Sequence, residues 1–123
     1  MRFNRALLVL MWTIIIALFL FSYETGAKTL TKKGGVNTFQ GHKESWYNLN
    51  MDKVVQRTDE AFGMTNLYWE REDGCKMYGP WIICAGHPSV IRYTFVETSR
   101  GTGIILDTHT SSDKTLIDLA VNW

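Results

Sequence analysis

The spacing of hydrophobic residues changes several times along this chain. Ala6 to Phe21, "ALLVLMWTIIIALFLF", is a solid apolar run broken only by Thr13. Residues 28–45 carry glycines, lysines and threonines with little period, and read as a linker and extended lead-in. Met51, Val54, Val55, Thr58 and Phe62 then recur at three- and four-residue steps, which is one apolar face of a helix. Asn50 is a suitable N-cap, Asp52 lies in the first turn where the helix dipole favours acids, and Gly63 supplies a stop. The spacing predicts one amphipathic helix near residues 50–62.

Beyond Gly63 the period shortens. "NLYWERE", "PWIICAG", "IRYTFVET", "TGIILDT" and "TLIDLAV" are short runs rich in Ile, Val, Leu and aromatic residues, punctuated by glycine, serine, proline or asparagine. In "IRYTFVET", Ile91, Tyr93 and Phe95 alternate with Arg92 and Thr94, which predicts a strand with the first set buried. "WIIC" and "GIIL" are apolar at consecutive positions, as in strands covered on both faces. Several strands with one helix in so short a chain predict a mainly β protein, a small closed β-barrel over residues 46–123 with the helix packed at one end.

The N-terminal run changes the expected setting. Arg2 and Arg5 precede it and no acid does, the order of an export signal. A membrane-spanning helix needs roughly 20 apolar residues, and this run falls a little short. Gly26 and Ala27 offer a weak cleavage site, so residues 1–27 read either as a removed signal peptide or as an N-terminal membrane anchor through residues 6–21. Either way the remainder is expected outside the cytoplasm, secreted or anchored facing outward.

Charge adds one exclusion. Thirteen basic and twelve acidic residues give a net charge of +1, without the basic excess of a nucleic-acid surface. Cys75 and Cys84 are the two cysteines; in an exported chain they read either as a disulfide or as two separately buried thiols. They supply too few ligands for a zinc site, and no cofactor is expected.

The last strands carry the chemistry. Asp107 ends "GIILD", and Asp118, eleven residues on, lies inside "TLIDLAV". Residues 81–123 resemble the double-psi β-barrel of bacterial cell-wall proteins of the three-aspartate domain type, with lytic transglycosylase A more distant. "HPSVI" at 87–91, "LDT" at 106–108 and "LID" at 116–118 carry the resemblance. His87 replaces the family's first aspartate, and His109–Thr110 stand where the family has two glycines. The resemblance implies a six-stranded double-psi-like barrel acting on peptidoglycan or another polysaccharide. It also implies glycosidic cleavage with Asp118 as acid and base in turn, and Asp107 as supporting carboxylate. His87, Thr108, His109 and Glu97 are then candidate substrate contacts.

General chemistry points the same way. An acid active near neutral pH needs its pKa raised, and apolar neighbours such as Leu116, Ile117 and Leu119, or a second carboxylate, raise it. Trp46, Tyr47, Trp81 and Tyr93 offer flat faces to sugar rings, or fill the core. Three other readings compete. Asp107 suits a turn cap, Asp118 suits a carboxylate held by backbone donors, and His87, Asp107 and His109 are ligand types that more simply lie on turns. A non-catalytic glycan-binding barrel and a scaffold of an envelope assembly are the alternatives to an enzyme.

Overall fold

The structure is a computed structural model and describes residues 28–110 and 115–123. The expected signal or anchor, residues 1–27, lies outside the described residues. Among the described residues, no helix is long and apolar enough to cross a membrane.

The chain is mainly β, with one helix among the described residues. Strands β1 (Asn37–Phe39), β2 (His42–Tyr47), β3 (Tyr68–Glu70), β4 (Lys76–Tyr78), β5 (Trp81–Gly86), β6 (Phe95–Thr98), β7 (Gly101–Thr108) and β8 (Ile117–Ala120) form one open mixed sheet. Helix α1 spans Asp52–Phe62. Among the described residues eight strands stand where six were expected, and the sheet is open where a closed barrel was expected, because β1 and β3 end the strand order without pairing to each other.

Strand β5 organises the sheet. Its burial is nearly complete on both faces, as "WIICAG" suggests. Parallel β7 runs along one edge from Ile82 to Gly86. On the other edge, antiparallel β4 pairs with Trp81 and Ile82, and antiparallel β8 with Cys84 to Gly86. A strand buried on both faces has no water for its N–H and C=O groups, so the neighbouring strands must take them up.

Successive side chains point to opposite faces, and two cores result. Ile82, Cys84, Ile105, Ile117, Leu119 and Val121 lie in one, with Leu30 and Cys75. Ile83, Ile104, Leu106 and Ala120 lie in the other, against Met51 and Val54 of α1 and Tyr78. The helix forms where its period predicts. Met51, not Asn50, occupies the N-cap, while Asn50 Oδ1 accepts from the Asp52 N–H at 2.8 Å; Gly63 ends α1 with φ +64°, a conformation that costs glycine little.

Two expectations need correction. Residues 28–45 are not a linker before the domain. Leu30 is buried in the first core, and β1 and β2 form a hairpin whose two-residue turn, Gln40 and Gly41, has positive φ at both positions. Strand β2 then pairs with β8 in parallel. The inward face expected for "IRYTFVET" holds only at Tyr93, which packs half-buried on the second core, with Arg92 and Thr94 exposed. Ile91 is 79% exposed and Phe95 52%, while Thr98 is buried and Val96 packs on the first core. Residues 91–94 turn, with Thr94 N–H bonding to Ile91 O and Tyr93 at φ +70°, so the strand starts at Phe95 with the opposite phase.

Polar ties close the ends of the sheet. Arg71 grips Asp73 bidentately, through Nε at 2.9 Å and Nη2 at 2.8 Å. Arg100 Nη1 reaches the same carboxylate at 3.0 Å, and Arg100 Nε donates to Leu30 O at 2.8 Å. The fully buried Glu44 carboxylate accepts from Ser99 N at 3.0 Å and Ser99 Oγ at 2.6 Å, which ties β2 to the β6–β7 turn.

The Arg71 bonds, more than any other contact, hold the Asp73 carboxyl well below its ordinary pKa. A depressed carboxylate stabilises the fold above its unfolded value, about 4, and loses that contribution as pH falls below it. Asp73→Asn should therefore be less stable than wild type at neutral pH, with the difference shrinking below about pH 4 when urea midpoints are compared across pH. A Cβ at Gly103 would meet Cys84 Sγ at 2.6 Å and Ile82 O at 3.3 Å. Gly103→Ala should thus cost about 1–3 kcal/mol in a urea titration.

Candidate functional site

The site grows from one irregularity in the β5–β7 ladder. Ile82, Ile83 and Cys84 face Gly103, Ile104 and Ile105 in regular succession, which would place Leu106 opposite Ala85. The register shifts there, and Ala85 faces Asp107 instead. The extra residue is Leu106, which stays fully buried in the second core. In strict alternation Asp107 would share the face of Ile105; the bulge turns it to the face of Ala85. Arg57 of α1 supports this point, since its Nη2 donates to the Leu106 carbonyl at 2.6 Å.

Ala85 has a second acidic neighbour. Across its other edge it faces Asp118 of β8, and Asp118 in turn faces Ser45 of β2. Asp107, Ala85 and Asp118 thus form a row across three strands. Strands lie about 4.8 Å apart, so the two acidic residues have Cα atoms roughly 9–10 Å apart. The single methyl of Ala85 between them leaves a cleft of about 290 Å³. Tyr47, Leu49, Thr108, His109 and Thr110 complete its lining.

Each lining group has a defined state. The Asp107 side chain is 30% exposed; its Oδ1 accepts from the Thr108 N–H at 2.9 Å and lies 4.0 Å from Arg57 Nη2. Asp118 is half-buried. Burial first, and then the charge of Asp107 with smaller effects of Cys84 and Asp118, raises the Tyr47 phenol far above its ordinary pKa. Tyr47 therefore keeps its O–H at neutral pH, and donates it to Met51 Sδ at 3.7 Å. The His109 backbone N–H bonds to Gly86 O at 3.0 Å. Its Nε2 lies 3.1 Å from Thr115 O, and because a carbonyl only accepts, that nitrogen carries the proton.

The structure gathers some of the residues singled out in the sequence and separates others. Asp107, Asp118, Thr108 and His109 share the cleft. His87 does not line it: its Nδ1 accepts from the Ser89 N–H at 3.1 Å in a local turn, and its ring meets His109 edge-on at 5.9 Å. Glu97 is exposed on β6 and accepts from Thr102 Oγ1 at 2.8 Å. Thr102 precedes Asp107 by five residues on β7, about 16 Å of strand, so Glu97 belongs to the far end of the sheet. Among the described residues, no three of His, Cys, Asp and Glu converge to hold a metal.

Of the four aromatic residues considered, only Tyr47 lines the cleft. Trp46 packs on Trp123, Trp81 on Phe95 and Tyr93 on Phe62. Leu49 and Arg57 escape a sequence reading, since an exposed leucine in a loop and a helical arginine carry no motif. Parallel pairing of β2 with β8 brings Tyr47 beside Ala120, and Leu49 follows two residues later.

Cys75 and Cys84 are free, buried thiols, and no disulfide joins them. If the β4–β5 register Met77↔Ile82 continued, the two would face each other. The ladder stops short, and the end of the chain takes both instead: Cys75 bridges to Val121 and Cys84 faces Leu119. Burial pushes the Cys75 thiol up to about 11, and raises Cys84 further.

Comparison with protein-family models, with curated proteins and with solved structures finds no match for this chain. The site therefore has to be read from its own chemistry. One consequence of that chemistry concerns the thiols. A buried thiol that is not ionised is a poor nucleophile, so a chromogenic thiol reagent should leave the folded chain unmodified. Without any reductant, denaturant should then release both cysteines to it.

Proposed function

We propose that the cleft cuts glycosidic bonds in peptidoglycan or a related polysaccharide. Asp118 protonates the leaving oxygen, and Asp107 is the supporting carboxylate. The observation that carries this reading is the row Asp107–Ala85–Asp118, which sets two carboxylates on one face at the two sides of a single cleft. Glycoside cleavage uses such a pair, one group giving a proton and the other stabilising or activating what attacks the sugar. Tyr47 adds an aromatic wall, and Leu49 an exposed apolar edge for a sugar ring.

The resemblance of "LDT" and "LID" to the three-aspartate cell-wall domain supports the same substrate class. His87, the substituted first aspartate of that pattern, lies outside the cleft lining, so its replacement removes no group from the cleft. The parallel pairs β2·β8 and β5·β7, linked by the antiparallel β5·β8, support the double-psi part of the reading. The basic and apolar N-terminus supports an envelope location, secreted or anchored.

The full chain, incubated with purified sacculi, should release soluble glycan fragments. Asp118→Asn should lower that release by about 10²- to 10⁴-fold, with the far-ultraviolet circular dichroism unchanged. Asp107→Asn should also lower it. Release that survives Asp118→Asn would remove Asp118 from the reaction, and retention on sacculi without any release would mark a non-catalytic binding protein.

A further inference from the structure

We propose that Arg57 is a positioning residue of the cleavage reaction: from α1 it braces the β7 bulge and the Asp107 carboxylate together, and so sets the orientation that Asp107 presents to the substrate. This rests on the cleavage reading above and deepens it, since Arg57 acts only through Asp107 and does not line the cleft.

The place of Arg57 follows from the helix. Val54 and Thr58 are buried, and Thr58 Oγ1 turns back to donate to Val54 O at 2.7 Å. Arg57, three residues after Val54, is half-buried on that inner side. Its guanidinium meets two groups that are adjacent along β7. Nη2 donates to the Leu106 carbonyl at 2.6 Å, and the same nitrogen lies 4.0 Å from Asp107 Oδ1. Leu106 is the residue by which the ladder slips, and Asp107 is the residue that the slip re-aims. Asp107 Oδ1 also accepts from the Thr108 N–H at 2.9 Å. The carboxylate is thus held twice, by its own strand and by the helix.

Packing alone does not account for an arginine here. Its Nε is buried with no hydrogen-bond partner among the described residues, and a buried donor left unbonded costs stability. A methionine would cover the same surface without that cost. What a guanidinium adds is a planar, permanently charged fork that bonds a carbonyl and attracts a carboxylate at once. Both targets bear on one quantity, which is where the Asp107 oxygens stand at the cleft wall. A displacement of about 1 Å in a reacting arrangement can cost about 10²-fold in rate. Stability and activity therefore make different demands at residue 57, and arginine meets the second.

The test compares Arg57→Met, Arg57→Lys and Lys53→Met in the full chain, with soluble glycan strands prepared from sacculi as substrate. Lys53, exposed on α1 four residues earlier, controls for the loss of one positive charge. Arg57→Met should lower kcat about 10²-fold with KM little changed, since the contact it breaks serves bond cleavage and not binding. Its urea midpoint should stay close to that of the wild type. Arg57→Lys should recover part of the rate, and Lys53→Met should match the wild type. Independently of cleavage, the Thr108 amide should exchange its hydrogen faster in Arg57→Met, because the carboxylate it bonds is released on one side. An unchanged kcat in Arg57→Met, a fall matched by Lys53→Met, or a rise in KM alone would overturn the proposal. So would a fall in kcat that only tracks a collapsed urea midpoint, without selective loss of protection at Thr108. No release by the wild-type chain would overturn the cleavage reading. Exchange at Thr108 would then still decide whether Arg57 holds Asp107, and an unchanged rate would overturn that as well.

Discussion

Everything in this fold depends on the backbone of one strand finding partners on both edges while both its faces are dry. β5 meets that requirement with β7 on one side and β4 and β8 on the other. An unpaired peptide group in such a place would cost as much as a lost hydrogen bond or more, so the neighbours are not interchangeable. Once β7 and β8 flank β5, their acids flank it too. Ala85 becomes the common neighbour of Asp107 and Asp118 through main-chain pairing alone. The candidate site follows from how the core strand satisfies its amides.

Pairing decides adjacency, but it does not decide which way a side chain points. A strand alternates with a period of two, so a slip of one residue moves a side chain to the other face. The bulge at Leu106 performs that slip locally. It leaves Leu106 in the apolar core and sends Asp107 to the solvent-accessible cleft. A bulged residue loses its regular ladder partner, and here Arg57 supplies a donor to the Leu106 carbonyl. Helix α1 thus shapes the cleft from behind while presenting none of its own side chains among the lining residues.

The ends of the sheet explain why β2 stays in place to contribute Tyr47. A buried glutamate is costly unless its oxygens are bonded, and Glu44 satisfies both through Ser99. Arg100 extends the tie from Asp73 to Leu30 and stacks over Trp123 at 5.0 Å. These contacts join the start of the described chain, the β6–β7 turn and the C-terminus. They hold β2 against β8, and so hold the phenol near both carboxylates.

Local patterns in the sequence determined a good part of this protein. The helix Asp52–Phe62, the apolar strands β5, β7 and β8, and the candidacy of Asp107 and Asp118 all rest on residues close together in the chain, where periodicity and capping act. Tertiary structure decided the rest. The polar hairpin β1–β2 has almost no apolar period, and becomes part of the sheet through main-chain bonds to β8. The inward phase of β6 depends on the left-handed turn at Tyr93. Whether Cys75 meets Cys84 depends on where the C-terminal strand inserts. The face taken by Asp107 depends on one bulge against a strand some twenty residues earlier. A run of neighbouring residues carries its own period, but register between distant strands exists only once they are paired.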